Sequence, residues 1–237
     1  MSNENLAKSK KVARSWEFFI TNEKFYKQKV QFEAIQKKRY KFGNTALHHA
    51  TISGNTLECK LIINHVEDKN PKNKNGSTPF HFAAANGHLS ICQLIIDNIE
   101  EKNPPDNKGF TPLHLTLLGG HLSVFQMIFN NVEDKNPKNG YGETPLHLAA
   151  YFGRFEIFKL VFDNIEDKNP LDDLNNTSLH YAAEKGHLKI CDYIVRRVED
   201  KNHAINSKNI FNGTPLERAE YYNQQEIVDY LKSQIEN

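Results

Sequence analysis

The chain has 237 residues, 38% of them hydrophobic and 25% charged, with a formal net charge of +1. No apolar run approaches the roughly 18 residues that a membrane span needs, and the opening Met1-Ser-Asn-Glu-Asn-Leu-Ala-Lys8 lacks the apolar stretch of a secretory leader. A protein with no membrane segment is expected, in the cytoplasm or in both cytoplasm and nucleus.

Residues 1–41 stand apart. They carry 11 Lys/Arg against 4 Asp/Glu, whereas the remainder carries 19 against 25. Val12, Trp16, Phe19 and Ile20 have helical spacing, as do Phe32 and Ile35. One or two helices are predicted, capping the open side of the domain that begins at residue 42. Basic residues interleaved with aromatics suit a second reading, a tether to nucleic acid or an anionic membrane. Lys38-Arg-Tyr-Lys41 is a weak nuclear-import cluster.

From residue 42 the chain is periodic. Thr45, Thr78, Thr111, Thr144 and Thr177 stand 33 residues apart, and Thr214 comes after 37. Each opens one phrase: Thr45-Ala-Leu-His48, Thr78-Pro-Phe-His81, Thr111-Pro-Leu-His114, Thr144-Pro-Leu-His147, Thr177-Ser-Leu-His180 and Thr214-Pro-Leu-Glu217. A fixed period of this length means stacked small units. Thr serves as an N-cap and Pro suits the first helical turn. The residue two before each Thr is Gly or Asn (Gly43 to Asn212), and so is the residue nine after it (Gly54 to Asn223). Slots that accept only Gly or Asn predict positive φ, first in the turn before helix one and then between the two helices. Next comes a longer second helix, as in Phe155-Glu-Ile-Phe-Lys-Leu-Val-Phe162, with one apolar face.

The phrase and period resemble the ankyrin repeat, whose unit is a β-turn followed by two helices with a T-P-L-H-x-A signature. Gly142-Glu-Thr-Pro-Leu-His-Leu-Ala-Ala150 is the clearest copy. The resemblance implies an all-α repeat solenoid: helix-turn-helix pairs with β-turn or hairpin loops in a curved stack. Repeats are placed at about 43–75, 76–108, 109–141, 142–174, 175–211 and 212–237, the last a polar cap.

After each second helix comes another phrase, such as Val132-Glu-Asp-Lys-Asn-Pro137, which ends in His203 in the fifth copy. It departs from the usual ankyrin ending, which has Gly there. Stacking would align Lys69, Lys102, Lys135, Lys168 and Lys201 beside acids, as an exposed ionic ladder or a charge-reading strip. Cys59, Cys92 and Cys191 share a slot with Phe125, Phe158 and Val228, so buried structural thiols are expected.

Eleven histidines invite a metal reading. Five occupy one repeat position, too far apart in a stack to share an ion bound at about 2 Å. In ankyrin proteins the matching His ties repeats together. The chain lacks G-x-x-x-x-G-K-[ST], H-E-x-x-H, C-x-x-C and G-x-S-x-G. No catalytic residue, cofactor or metal is expected.

By the same resemblance, partners bind the concave side, at positions 4, 3 and 1 before Thr and 7 and 8 after it. From repeat three onward these hold Phe110, Leu118, Tyr141, Tyr151, Phe152, Leu174, Phe211, Tyr221 and Tyr222, with Glu184 and Lys185 between the last two aromatic pairs. Tyr141, Tyr151 and Phe152 are the expected centre. In the other reading, Phe211 and Tyr221 pack inside the cap and Leu118 packs between helices. The function implied is a non-enzymatic, monomeric module binding a protein partner, as a regulatory, inhibitory or host-interaction factor.

Overall fold

A computed structural model describes residues 38–235. The stretch predicted to cap the first repeat, apart from its last four residues, lies outside them. The chain divides into two compact units, up to Asn107 and from Lys108. Among the described residues, regular structure is helical throughout.

The first unit holds a 3₁₀ turn (Lys41–Gly43), α1 (Ala46–Ser53), α2 (Thr56–His65), α3 (Pro79–Ala85) and α4 (Leu89–Ile96). First helix packs on first helix (α1 on α3) and second on second (α2 on α4). Leu47, Ile62, Ile63, Phe80, Ile91 and Ile95 are fully buried between them. The second unit holds α5 (Pro112–Gly119), α6 (Leu122–Asn130), α7 (Pro145–Tyr151), α8 (Phe155–Asn164), α9 (Ser178–Lys185), α10 (Leu188–Val195), α11 (Lys201–Asn206), α12 (Pro215–Tyr221) and α13 (Gln225–Ile235). Helices α5, α7, α9 and α12 form one row and α6, α8, α10 and α13 the other. Ala149, Ala150, Ala182 and Ala183 are fully buried, and such small side chains let the first helices approach closely.

The two Gly/Asn slots behave as predicted. Gly142 has φ +71° and Asn175, in the same slot, +58°; Gly186 has φ +75° and Asn223 +57°. At Gly142 the close approach is as decisive as φ, since a Cβ would lie 2.6 Å from the Asp173 nitrogen.

Each Thr caps its first helix, and in five of the six repeats His replaces the usual Glu of a capping box. The Thr144 N–H donates to His147 Nδ1 at 3.1 Å. The other ring nitrogen crosses to the next repeat, where His147 Nε2 lies 3.0 Å from the Pro170 carbonyl and 3.1 Å from that of Asn176. A carbonyl only accepts, so Nε2 carries the proton and Nδ1 is the acceptor. His48 reaches the Ser77 carbonyl, His114 that of Pro137 and His180 that of Gly213. Burial opposes ionisation and lowers His48 and His180 to about 4; it lowers His147 too. The three cysteines are buried and free, and burial pushes each thiol up to about 12.

Four of the five lysines in the row differ from both readings of the sequence, and Lys201 instead opens α11. Lys135 donates to the Phe129 and Val132 carbonyls, and Lys168 to those of Phe162 and Ile165. Lys69 and Lys102 do the same in the first unit. Each ammonium therefore caps the C-terminus of a second helix, meeting one carbonyl of its last turn and one just beyond its end. The following Asn points onward: Asn136 Oδ1 accepts from the Leu146 N–H (3.0 Å), and Asn70 Oδ1 from that of Phe80 (3.1 Å).

Helix α11 was not predicted. In four copies the phrase ends in Pro, which has no N–H and disfavours a helical residue before it. His203 has an N–H, and Asp200 accepts it at 2.8 Å as the N-cap of α11. Ala204 and Ile205 are then buried against neighbouring helices, which accounts for the four extra residues in that repeat.

Candidate functional site

All nine predicted contact residues fall in the second unit, in two rows. The first row lies at the turns. Five residues before Thr144, Thr177 and Thr214 stands Asn or Asp, whose side chain builds the turn. Asn139 Oδ1 accepts from the N–H groups of Tyr141 and Glu143 (2.9 and 3.0 Å). Asp172 Oδ1 accepts from Leu174 and Asn176 (2.8 and 2.7 Å), and Asn209 Oδ1 from Phe211 and Gly213 (both 3.0 Å). The group that closes each turn thus also holds the residue that projects Tyr141, Leu174 or Phe211. Backbone bonds join turn to turn: Gly140 N–H to Lys108 O, Asp173 N–H to Tyr141 O and Ile210 N–H to Leu174 O.

The second row lies where the first helices end. Leu118 is in the last turn of α5. Tyr151 closes α7 and Phe152 is its C-cap; Tyr221 closes α12 and Tyr222 is its C-cap. Packing in the cap or between helices is not where the doubtful residues are found. Tyr221 is 79% exposed, Phe211 71% and Leu118 53%. Tyr141, Leu174 and Tyr222 are exposed too, while Phe110, Tyr151 and Phe152 are half-buried.

Ring contacts join some of these residues. Phe110 meets Tyr141 at 6.2 Å between centroids, Tyr151 meets Phe152 at 5.0 Å and Tyr221 meets Tyr222 at 5.1 Å, all edge to face. Leu174 and Phe211 are brought into line through their backbone turns rather than by ring contact.

Four further residues support the rings: Tyr181 ties the second row to the turns, and Glu184, Lys185 and Arg218 link the rings of the second row. Tyr181, on α9, stacks edge-on against Tyr151 at 5.9 Å. Its hydroxyl donates to Asp172 Oδ2 at 2.6 Å and lies 3.2 Å from Glu143 Oε1. Burial and then the Asp172 carboxylate raise the Tyr181 phenol. Burial alone would raise Asp172, but hydrogen bonds from Tyr181, Asn176 and Leu174 outweigh it and hold the carboxyl below its usual range. Beside them, Lys185 Nζ lies 4.4 Å from the Tyr151 centroid, 5.7 Å from that of Tyr222 and 2.9 Å from Glu184 Oε1. Arg218 binds the other oxygen of the buried Glu184 and lies 5.6 Å from the Tyr222 ring.

Glu184 and Lys185 were visible in the sequence as groove positions but not as part of the aromatic set. Tyr181 and Arg218 stand four residues after Thr, outside the face positions that the resemblance implies. The signal was the change from Leu115 and Leu148 to Tyr181 and Arg218 in that slot.

Among the described residues, no group of three His, Cys, Asp or Glu could hold a metal ion, and no helix is long and apolar enough to cross a membrane. What the face offers chemically is aromatic area with fixed hydrogen-bonding and charged groups between the rings. Compared with known families, the chain matches a model described as ankyrin repeats in three copies, over residues 21–106, 98–172 and 164–237. The first match begins inside the basic N-terminal stretch. No curated protein matches the chain.

Proposed function

The chain belongs to the ankyrin-repeat family, and on that premise we propose that it is a non-enzymatic module that binds a partner protein through the two aromatic rows of the Lys108–Asn237 unit. Ankyrin repeats generally mediate protein–protein contact, which sets the class of function. The observation that carries the choice of face is the exposure of Tyr141, Phe211, Tyr221 and Tyr222 along one run of turns and helix ends. Exposed apolar groups gathered in this way mark interaction sites, and Tyr is enriched among residues that dominate binding energy. The backbone-anchored turns pre-order the rings, which reduces the entropy lost on association. A regulatory or inhibitory role, in which the face masks a partner's surface, suits such a site.

Crosslinking capture from source-cell lysate, read by mass spectrometry, tests this. Wild type is compared with the triple variant Tyr141→Ala/Tyr151→Ala/Phe152→Ala. A protein held by wild type at moderate and high salt and lost by the variant supports the face. Equal capture by both removes it. Capture that collapses with salt and survives the triple variant would favour the basic N-terminal stretch.

A further inference from the structure

The run of rings along the second row is interrupted once. Repeats four and six place Tyr151-Phe152 and Tyr221-Tyr222 at the end of helix one, and repeat five places Glu184-Lys185 there. The structure folds this interruption into a niche. The Lys185 ammonium sits over the faces of Tyr151 (4.4 Å) and Tyr222 (5.7 Å), and Glu184 Oε1 is 2.9 Å away. Glu184 is 7% exposed, and Arg218 holds its other oxygen, so the carboxylate is fixed in place. Two π faces and a fixed carboxylate are what an ammonium group needs for recognition. The niche is therefore a cation site, and the chain's own Lys185 fills it.

The occupant is easily released. Lys185 is the last residue of α9, and its side chain is 31% exposed. Glu184 is the main cause of its raised pKa, with Tyr151 adding to it, so the group in the niche is the charged form. A partly exposed ion pair of this kind contributes under about 1 kcal/mol. Swinging Lys185 into water therefore costs little. An incoming cation would inherit the same rings and the same carboxylate without the need to create a cavity.

We propose that the Tyr151–Glu184–Tyr222 niche binds a cationic side chain of the partner protein, of the lysine or alkylammonium class, and that Lys185 occupies it in the free protein. This rests on the face proposed above being the binding surface, and it specifies the partner's chemistry: a basic residue presented among apolar ones.

The test uses the full chain and tetramethylammonium chloride as the probe, with sodium chloride as the ionic-strength control. Ring resonances of Tyr151 and Tyr222 are followed by NMR in wild type, Lys185→Ala and Lys185→Ala/Tyr151→Ala, after thermal melts confirm folding. Lys185→Ala is expected to show saturable shifts at both rings, with affinity about threefold to fivefold above wild type, and the double variant to lose the shift at Tyr222. Two results overturn the proposal: no saturable shift in folded Lys185→Ala, or equal affinity in wild type and Lys185→Ala. If capture of a partner still depends on Tyr141, Tyr151 and Phe152 after either result, the binding face stands and only the cation site falls.

Discussion

At the scale of the residue, the buried imidazoles make stability depend on pH. His48 and His180 titrate near 4 in the folded chain against 6.5 when unfolded. Between those values the unfolded chain binds more protons, so stability falls as pH drops from about 6.5 towards 4. At pH 5 each histidine should cost about 2 kcal/mol relative to neutral pH. Urea titrations at pH 7.5 and 5 should show a clear fall in midpoint; an unchanged midpoint would mean that these rings are not held neutral. Gly142 gives a second test. With φ +71° and the Asp173 nitrogen close by, Gly142→Ala should lose more than about 1 kcal/mol, whereas Asn175→Gly should shift stability by only a few tenths. Thermal melts of the two variants separate these outcomes. Both slots were legible in the sequence, because a backbone demand for positive φ leaves a direct mark on composition. The lysine caps were not. A charged residue in an exposed phrase looks the same whether its ammonium faces an acid, a carbonyl or water.

At the scale of the element, one phrase produces two structures. Its acidic-Lys-Asn-Pro form makes a loop four times, and Glu-Asp-Lys-Asn-His opens α11. Asp200→Ala removes the cap of that helix and should destabilise the chain by about 1 kcal/mol. His203→Pro removes the N–H that Asp200 binds and should cost at least as much, with loss of helical signal in circular dichroism. If both variants melt like wild type, α11 contributes nothing to the stack. Lys168→Met should cost about 1–2 kcal/mol by leaving the Phe162 and Ile165 carbonyls without their charged donor; Lys159→Met, on an exposed site of α8, serves as its control. Sequence periodicity located every helix pair because the core repeats. It passed over α11 because that helix is a single departure from the period.

At the scale of the molecule, the two compact units carry different surfaces. All nine predicted contact residues belong to Lys108–Asn237. A fragment of that unit should therefore remain helical and retain any partner held by the aromatic rows, though with reduced stability. Pull-down beside the full chain checks this, and loss of the partner by a folded fragment would place binding determinants before residue 108. The positions of the face followed from the ankyrin resemblance, and the repeat register then named the large apolar side chains at them. How those side chains are tied together could not be read that way. The Tyr181 bridge and the Lys185 niche depend on contacts between residues of neighbouring repeats, far apart in the chain, which no single repeat displays.

The proton on each junction-forming imidazole has a further use. Nε2 of His48 faces the Ser77 carbonyl, that of His147 faces Pro170 and Asn176, and that of His180 faces Gly213. Each such N–H is shut away from solvent at one boundary between neighbours and can trade its hydrogen for deuterium only when that boundary opens. Three ring resonances would thus serve as three clocks, timing where along the array the stack first comes apart and whether a bound partner slows one boundary more than the others.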